Sequence, residues 1–261
     1  MGALCNHALE LTGLAGDSGS RVHRLDPRAK VVGVLCVTVV AVSTPLSLWP
    51  VHAACAAVLT TIATTARIGP NAIWRRVRFI LPIIGLLIVF LPLVRTGGAE
   101  YALGPLTLHG AGLTIAAEVG TKALIGVVGA VLLGATTVFP EVLRGLEALR
   151  VPRLFVLIAA FMYRYLFVIV EEVSRMRSAL VARGFGPRTA LQAGATGRVA
   201  GALFLRTYGR GERVYLAMLS RGYSGSMPEL VPLSFGRADA AFVGLIVIAL
   251  VPLRVLAQLT P

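Results

Sequence analysis

The sequence predicts an all-α, polytopic membrane protein with about five to six membrane helices and additional amphipathic helices on the cytoplasmic side. Hydrophobic residues make up 56% of its 261 residues, and only 14% are charged. Several apolar stretches of about 16 to 26 residues are long enough to cross a hydrocarbon core of ~30 Å. Basic residues outnumber acidic ones by 25 to 12, which in a membrane protein is typical of cytoplasmic loops.

The distribution of polarity divides the chain into four segments. A polar N-terminal segment, 1–28, precedes the membrane helices and short amphipathic connectors of 29–170. A basic segment, 171–239, is expected to be cytoplasmic, and 240–261 holds the last membrane helix. The apolar stretches are 29–49, 51–66, 79–94, 113–138, 154–170 and 240–258.

The number of crossings conflicts with the basic segments. The basic loop 67–78 and the basic end of segment 1–28 indicate a cytoplasmic N-terminus. Five complete crossings before 171–239 would then place that basic segment outside. Either one stretch fails to cross, or one basic loop breaks the positive-inside rule. The sequence leaves two candidates open, 51–66 because it is short and 154–170 because it is short and contains Arg164.

The same helix ending occurs twice in segment 171–239. Both copies, at 175–185 and 213–223, read Arg-x3-Ala-x3-Arg-Gly-aromatic. The four-residue spacing places both arginines and the alanine on one helical face, and glycine permits the left-handed residue that ends a helix. One copy is typical of an ordinary helix C-terminus, whereas two matched copies favour a paired docking device. Its predicted residues are Ala182, Arg183, Gly184, Ser220, Arg221 and Gly222.

Further residues are candidates for a structural or coupling role. Asp26 is predicted to cap a helix that has Pro27 at its first position and Arg28 next to it. Glu118 and Lys122, at i and i+4 within an apolar stretch, are expected to neutralise each other. A role in handling ions is the alternative, as for Arg164.

Small residues recur every four positions in the stretch 113–138. Gly126, Ala130 and Gly134 follow this spacing. Such residues let helices approach closely in lipid, so they predict close packing, within this subunit in preference to a face between subunits.

The motifs of nucleotide and metal chemistry are missing from the sequence. Neither Lys30 nor Lys122 follows a glycine, so a Walker-type phosphate loop is excluded. The histidines are scattered, and the cysteines have no metal-ligand spacing. The chain is therefore predicted not to be an enzyme and to hold no cofactor.

Three groups of residues resemble the transmembrane T component of energy-coupling-factor (ECF) transporters of the cobalt type, called CbiQ. The first is His-Arg-Leu-Asp-Pro-Arg-Ala-Lys at 23–30. The second is Met-Tyr-Arg-Tyr-Leu-Phe-Val at 162–168, followed by the first arginine ending. The third is Leu-Arg-Thr-Tyr at 205–208 with the second ending, where Ser220 stands in place of the usual alanine.

The resemblance implies a non-enzymatic coupling subunit in the bacterial inner membrane. Two cytoplasmic coupling helices would dock by their arginine ends onto two CbiO-like ABC ATPase subunits. The membrane helices would hold a CbiM-like substrate-binding subunit, with a small accessory membrane subunit as a further partner. The chain would link ATP hydrolysis to cobalt uptake, with no nucleic acid involved. The alternatives are a self-contained secondary carrier, a membrane enzyme acting on lipid phosphates, and a T component for nickel or a vitamin.

The coupling helices, at about 171–184 and 206–222, are expected to cross and pack on each other through narrow apolar faces. The residues of these faces are Val173, Met176, Leu180 and Val181 in the first helix, and Val214, Leu216, Met218 and Leu219 in the second.

Overall fold

A computed structural model describes residues 20, 22–94, 100–103, 106–185, 193–225 and 233–259. Most of the predicted polar segment 1–28 lies outside the described residues. The chain forms two compact units. The first comprises Met1–Leu149 and Leu233–Pro261, and the second comprises Arg150–Pro232.

The first unit is built from helices and a single short hairpin among the residues that are described. Its elements are α1 (Pro27–Ser43), α2 (Trp49–Thr65), α3 (Pro70–Val94), β1 (Glu100–Leu103), β2 (Leu106–His109), α4 (Gly110–Thr136), α5 (Phe139–Ala148) and α8 (Arg237–Leu259). The two strands pair antiparallel. Helices dominate because lipid offers the backbone no hydrogen-bond partner, so each spanning segment must satisfy its own amide groups.

The core of the first unit lies between α1, α2, α4 and α8. Val37, Val51, Leu132 and Leu250 are each no more than 1% exposed and belong to one buried cluster. Helix α3 packs along α4 and carries much of the exposed apolar surface: Phe79, Ile83 and Leu86 are 69–74% exposed. Exposed apolar faces of this size are typical of surfaces that meet lipid or a partner.

Long-range hydrogen bonds fix the direction of the helices in this unit. The Lys30 ammonium group, near the start of α1, donates to the carbonyl of Thr136 at the end of α4. Arg76, early in α3, donates to the carbonyl of Val131 in α4. The start of α1, the start of α3 and the end of α4 therefore lie on one face of the unit, which we call the N face.

Two more elements reach the N face. The backbone N–H of Asp26, just before α1, donates to Asp239 in the first turn of α8 at 2.7 Å. Helix α5 packs against the start of α1 so closely that a Cβ at Gly145 would lie 3.3 Å from the backbone nitrogen of Arg28. Helix α8 therefore begins on the N face and runs parallel to α1. At the other end, Arg254 donates to the carbonyl of Ser43 at 2.7 Å.

The all-α membrane fold is confirmed. Three of the described helices are long and apolar enough to cross a membrane, at 112–136, 153–182 and 237–255. Helices α1 and α2 have 17 residues each, the lower limit for a span.

The prediction that the four-residue repeat of small residues marks the close helix contacts of α4 was wrong about which residues make them. A Cβ at Gly134 would meet nothing within 4 Å, and one at Gly126 would only reach Thr38 at 3.9 Å. The close approaches of α4 occur instead at Gly120 and Gly129, where a Cβ would lie 3.0 Å from Ile88 of α3 and 3.2 Å from Val34 of α1. Which glycine meets a neighbour depends on how each helix is rotated about its axis, and the four-residue repeat does not fix that rotation.

The second unit contains two long helices, α6 (Arg153–Ala182) and α7 (Ala193–Leu219). Helix α6 runs without a break through the predicted boundary between 170 and 171, because pairs such as Glu171–Arg175 support it across that point. Helix α7 begins well before the predicted residue 206. The membrane boundaries of the four predicted segments stay predictions.

Candidate docking site

The first arginine ending closes α6 as the sequence predicted. Gly184 adopts a φ of +73°, which is the left-handed region that favours glycine. The N–H of Gly184 donates to the carbonyl of Val181, and the N–H of Phe185 donates to that of Leu180. This pair of hydrogen bonds is a Schellman motif. It leaves Arg183 as the last residue before the chain turns away.

The second arginine ending repeats this geometry at the end of α7. Gly222 has a φ of +80°, and its N–H donates to the carbonyl of Leu219. The N–H of Tyr223 donates to the carbonyl of Met218. Ser220, the departure from the repeated alanine, only donates its hydroxyl to the carbonyl of Ala217 one turn back. The serine is therefore compatible with the same helix ending.

Helices α6 and α7 run antiparallel. Glu172, in α6, accepts hydrogen bonds from Arg175 on its own helix and from Arg206 on α7. The carboxylate of Glu172 is 14% exposed although both arginines are more than half exposed. Arg221, at the far end of α7, lines a groove together with Arg164 of α6. From Glu172 back to Arg164 on α6, the neighbouring residue on α7 changes from Arg206 to Arg221. The two helices therefore run in opposite directions.

The predicted packing of these helices is half right. They contact each other, and Val214 and Met218 of the predicted apolar face line the groove between them. Four other predicted residues stay exposed: Val173, Val181, Leu216 and Leu219 are 41–61% exposed. The Glu172–Arg206 ion pair is a second contact between the helices. A carboxylate flanked by two arginines is a pattern that periodicity of apolar residues does not reveal.

The groove has a volume of about 730 Å³, and its lining includes arginine and aromatic side chains. Phe161, Arg164 and Tyr165 come from α6, and Arg221 and Tyr223 from the end of α7 and the turn after it. The structure thus brings Arg164, predicted as a coupling residue, into the same groove as one of the two predicted docking arginines. Sequence reasoning did not predict this pairing, because the two residues are far apart in the chain.

At the N face of the first unit, the predicted N-cap is confirmed. The Asp26 carboxylate accepts from the N–H of Arg28 at 2.9 Å, and Pro27 opens α1. Sequence reasoning missed Asp239, whose second oxygen accepts from the N–H of Gly236 at 2.8 Å. One buried carboxylate thus binds the starts of both α1 and α8. An acid three residues into an apolar helix predicts such a cap, but not its bond to Asp26.

The predicted pair within α4 is also present. Lys122 donates to Glu118 at 2.6 Å, and the two side chains are 20% and 31% exposed. This is the geometry of mutual neutralisation, and a role in ion handling stays a prediction. Among the described residues, no group of three or more His, Cys, Asp or Glu side chains is placed to hold a metal ion.

Comparison with known proteins gives the family. The profile of the CbiQ family, described as cobalt transport protein, matches residues 18–232. The chain belongs to the CbiQ family. The match includes both arginine endings, the Asp26 cap and the Glu118–Lys122 pair.

Three curated relatives are similar to about half of this CbiQ chain. A Bifidobacterium longum protein named as an ABC transporter ATP-binding protein is 39% identical over 126 residues, which is 47% of this chain and 16% of the relative. An uncharacterized protein of Methanocaldococcus jannaschii is 34% identical over 43% of this chain and 39% of its own length. A fused cobalt transport protein, CbiMQ, of Methanocorpusculum labreanum is 30% identical over 44% of this chain and 19% of its own length. The chain thus matches less than two-fifths of each relative.

Proposed function

We propose that this CbiQ-family chain is the energy-coupling subunit of an ATP-driven importer for cobalt ions. It connects two ABC ATPase subunits to a separate CbiM-like membrane subunit that takes up the ion. The observation that carries the proposal is the pair of matched Schellman endings, each presenting an arginine. The names of two relatives support the partners, since one contains an ATP-binding function and the other joins CbiM and CbiQ in one chain.

The antiparallel pairing of α6 and α7 suits two separate ATPases. Because both arginines stand at helix C-termini, antiparallel helices carry them to opposite ends of the pair. Arg221 shares the groove with Arg164, and Arg183 lies nineteen residues further along α6. At a rise of 1.5 Å per residue, the two endings are therefore roughly 28 Å apart. Two distinct protein surfaces can be contacted at that separation.

The directions of the helices in the first unit also support a cytoplasmic position for α6 and α7. Helices α1 to α4 cross four times and return the chain to the N face, where α5 packs and α8 begins. Because the chain is at the N face both at α5 and at the start of α8, residues 150–232 must cross the membrane an even number of times. Helix α7 cannot be one of them, because Arg198, Arg206 and Arg210 would be too costly in lipid. We infer that α6 does not cross either, despite its apolar length, and that 154–170 is the stretch that fails to span.

The positive-inside rule then assigns the side. The start of α3, with Arg75 and Arg76, lies on the N face together with Arg28 and Lys30 at the start of α1. Basic residues concentrate on cytoplasmic surfaces, so the N face is cytoplasmic and α6 lies along the membrane surface. A cytoplasmic position of the arginine endings supports the proposal, because ABC ATPases bind membrane subunits from that side.

Charge reversal of the two endings tests the proposal. Arg183→Glu, Arg221→Glu and the double variant are compared with Arg177→Glu, which changes an exposed arginine of α6 that is not one of the six predicted docking residues. An arginine anchor seated in a partner's pocket is commonly a hot spot, so each single reversal should lower ATP-dependent ⁵⁷Co²⁺ uptake by about tenfold or more. Co-purification of the ATPases should weaken in parallel. Normal uptake by the double variant in an intact complex would refute the docking role.

A further inference from the structure

The groove between α6 and the end of α7 carries a strongly cationic lining. Arg164 and Arg221 both face it, accompanied by Tyr165 and Tyr223, and no acidic residue is among its described lining residues. Neither arginine has an ion-pair partner in the described part of the chain. Two like charges held in one groove repel each other unless an anion lies between them. Guanidinium groups bind phosphate through two parallel hydrogen bonds, so the chemistry of the groove fits a phosphate.

The surroundings of the groove point to a ligand with an apolar part. On the adjacent face of α6, Phe155, Ile158 and Met162 are 64%, 48% and 69% exposed. A soluble phosphate would leave this surface in water. A phospholipid would satisfy both parts of the surface, because its acyl chains cover apolar side chains while its phosphate binds the arginines. Helices that have an apolar face beside a cationic one lie in the headgroup region of a bilayer.

We propose that the Arg164–Arg221 groove is a binding site for the phosphate of an anionic phospholipid. Its acyl chains lie along Phe155, Ile158 and Met162, and its headgroup lies between the two guanidinium groups. An anionic lipid is favoured over a zwitterionic one because two arginines face the groove without a carboxylate to balance them. The bound lipid would hold the end of α7 at the membrane surface. The proposal rests on the surface position inferred for α6, and it concerns the chain without bound ATPases, because Arg221 is also the proposed ATPase anchor.

Lipid binding to the purified full chain tests the site without any partner present. Dioctanoyl phosphatidylglycerol is titrated into the detergent-solubilised chain, and bound lipid is counted by native mass spectrometry. Arg164→Gln should weaken binding by about tenfold, the effect of losing one charge-assisted hydrogen bond. Arg164→Lys, which keeps the charge but loses the planar fork, should fall in between. The matched control Arg177→Gln, on the same helix outside the groove, should bind like the parent chain.

Two competing ligands separate the sources of the phosphate. Dioctanoyl phosphatidylcholine has the same chains without net charge, and inorganic phosphate has the charge without chains. Both should bind more weakly than phosphatidylglycerol. Equal binding of phosphatidylcholine, or displacement of phosphatidylglycerol by inorganic phosphate at a matching concentration, would overturn the proposal.

Two further results would also overturn it. One is equal loss of lipid in the Arg164 and Arg177 variants, which would mean nonspecific attraction. The other is unchanged lipid binding in a folded Arg164→Gln chain, with thermal unfolding as the check on folding. If that chain also lost ATPase co-purification, the groove would be a protein-docking surface instead.

Discussion

Replacing Asp239 should destabilise the first unit strongly, although its position in the first turn of α8 would indicate only the loss of a helix cap. Asp239 is buried and is only 6% exposed. One carboxylate oxygen accepts from the N–H of Asp26 at 2.7 Å and the other from the N–H of Gly236 at 2.8 Å. Asp239→Ala removes both acceptors at once. The starts of α1 and α8 would then lose the only hydrogen bond that the described residues show between them.

The magnitude follows from these two contacts. Loss of a helix cap costs about 1 kcal/mol, and leaving the buried N–H of Asp26 without an acceptor costs about 1–3 kcal/mol more. The total is about 3 kcal/mol of unfolding free energy. For a protein of this size, that lowers the melting temperature by about 6–12 °C. Asp239→Asn keeps one acceptor oxygen and should lose about half as much.

Thermal unfolding of the purified chain in detergent, followed by intrinsic fluorescence, measures the shift. Trp49 and Trp74 report on the first unit, since they lie in α2 and α3. Glu212→Ala is the control, because this exposed acid of α7 has no hydrogen-bond partner in the described structure. If Asp239→Ala melted within about 2 °C of the control, the carboxylate would not hold the two helices together and the N face would need another explanation.

Two further predictions concern the second unit. Gly222→Ala places a Cβ at a φ of +80°, which costs about 1–2 kcal/mol, so amide exchange at the end of α7 should accelerate. Gly201→Ala, in open space within the same helix, should slow exchange instead, and equal behaviour of the two variants would contradict the left-handed cap. Glu172→Gln weakens the contact with Arg206 and should broaden the distance distribution between spin labels on α6 and α7. Glu171→Gln removes a pair that stays within α6 and should leave the distribution narrow.

The features that the sequence predicted correctly depend on residues a few positions apart. The Asp26 cap joins residues two apart, the Glu118–Lys122 pair spans one helical turn, and each Schellman ending is complete within six residues. Such geometry follows from local backbone chemistry, which is the same wherever the helix sits in the fold. The glycine after each arginine was sufficient to predict a left-handed helix end.

The features that the sequence did not predict all join distant parts of the chain. The Asp26–Asp239 hydrogen bond spans 213 residues, and the bond between Lys30 and Thr136 spans 106. Both depend on which helix ends meet at the N face, and that is decided by packing of the whole unit. The same contacts support the proposal that 154–170 is the apolar stretch that does not cross, a choice that charge counting alone left open. Length and composition favour α6 as a span, whereas the direction of its neighbours argues against it.

The position of the Glu172–Arg206 contact bears on how the two arginine endings influence each other. Glu172 lies eight residues from Arg164, beside the Arg221 ending, and eleven residues from Arg183. These separations correspond to about 12 Å and about 16 Å along α6. The contact is therefore close to the middle of the pair, and we infer that it acts as a pivot: displacing one ending would move the other in the opposite sense. On this reasoning Glu172→Gln should leave both endings able to bind an ATPase while weakening the transfer of motion between them.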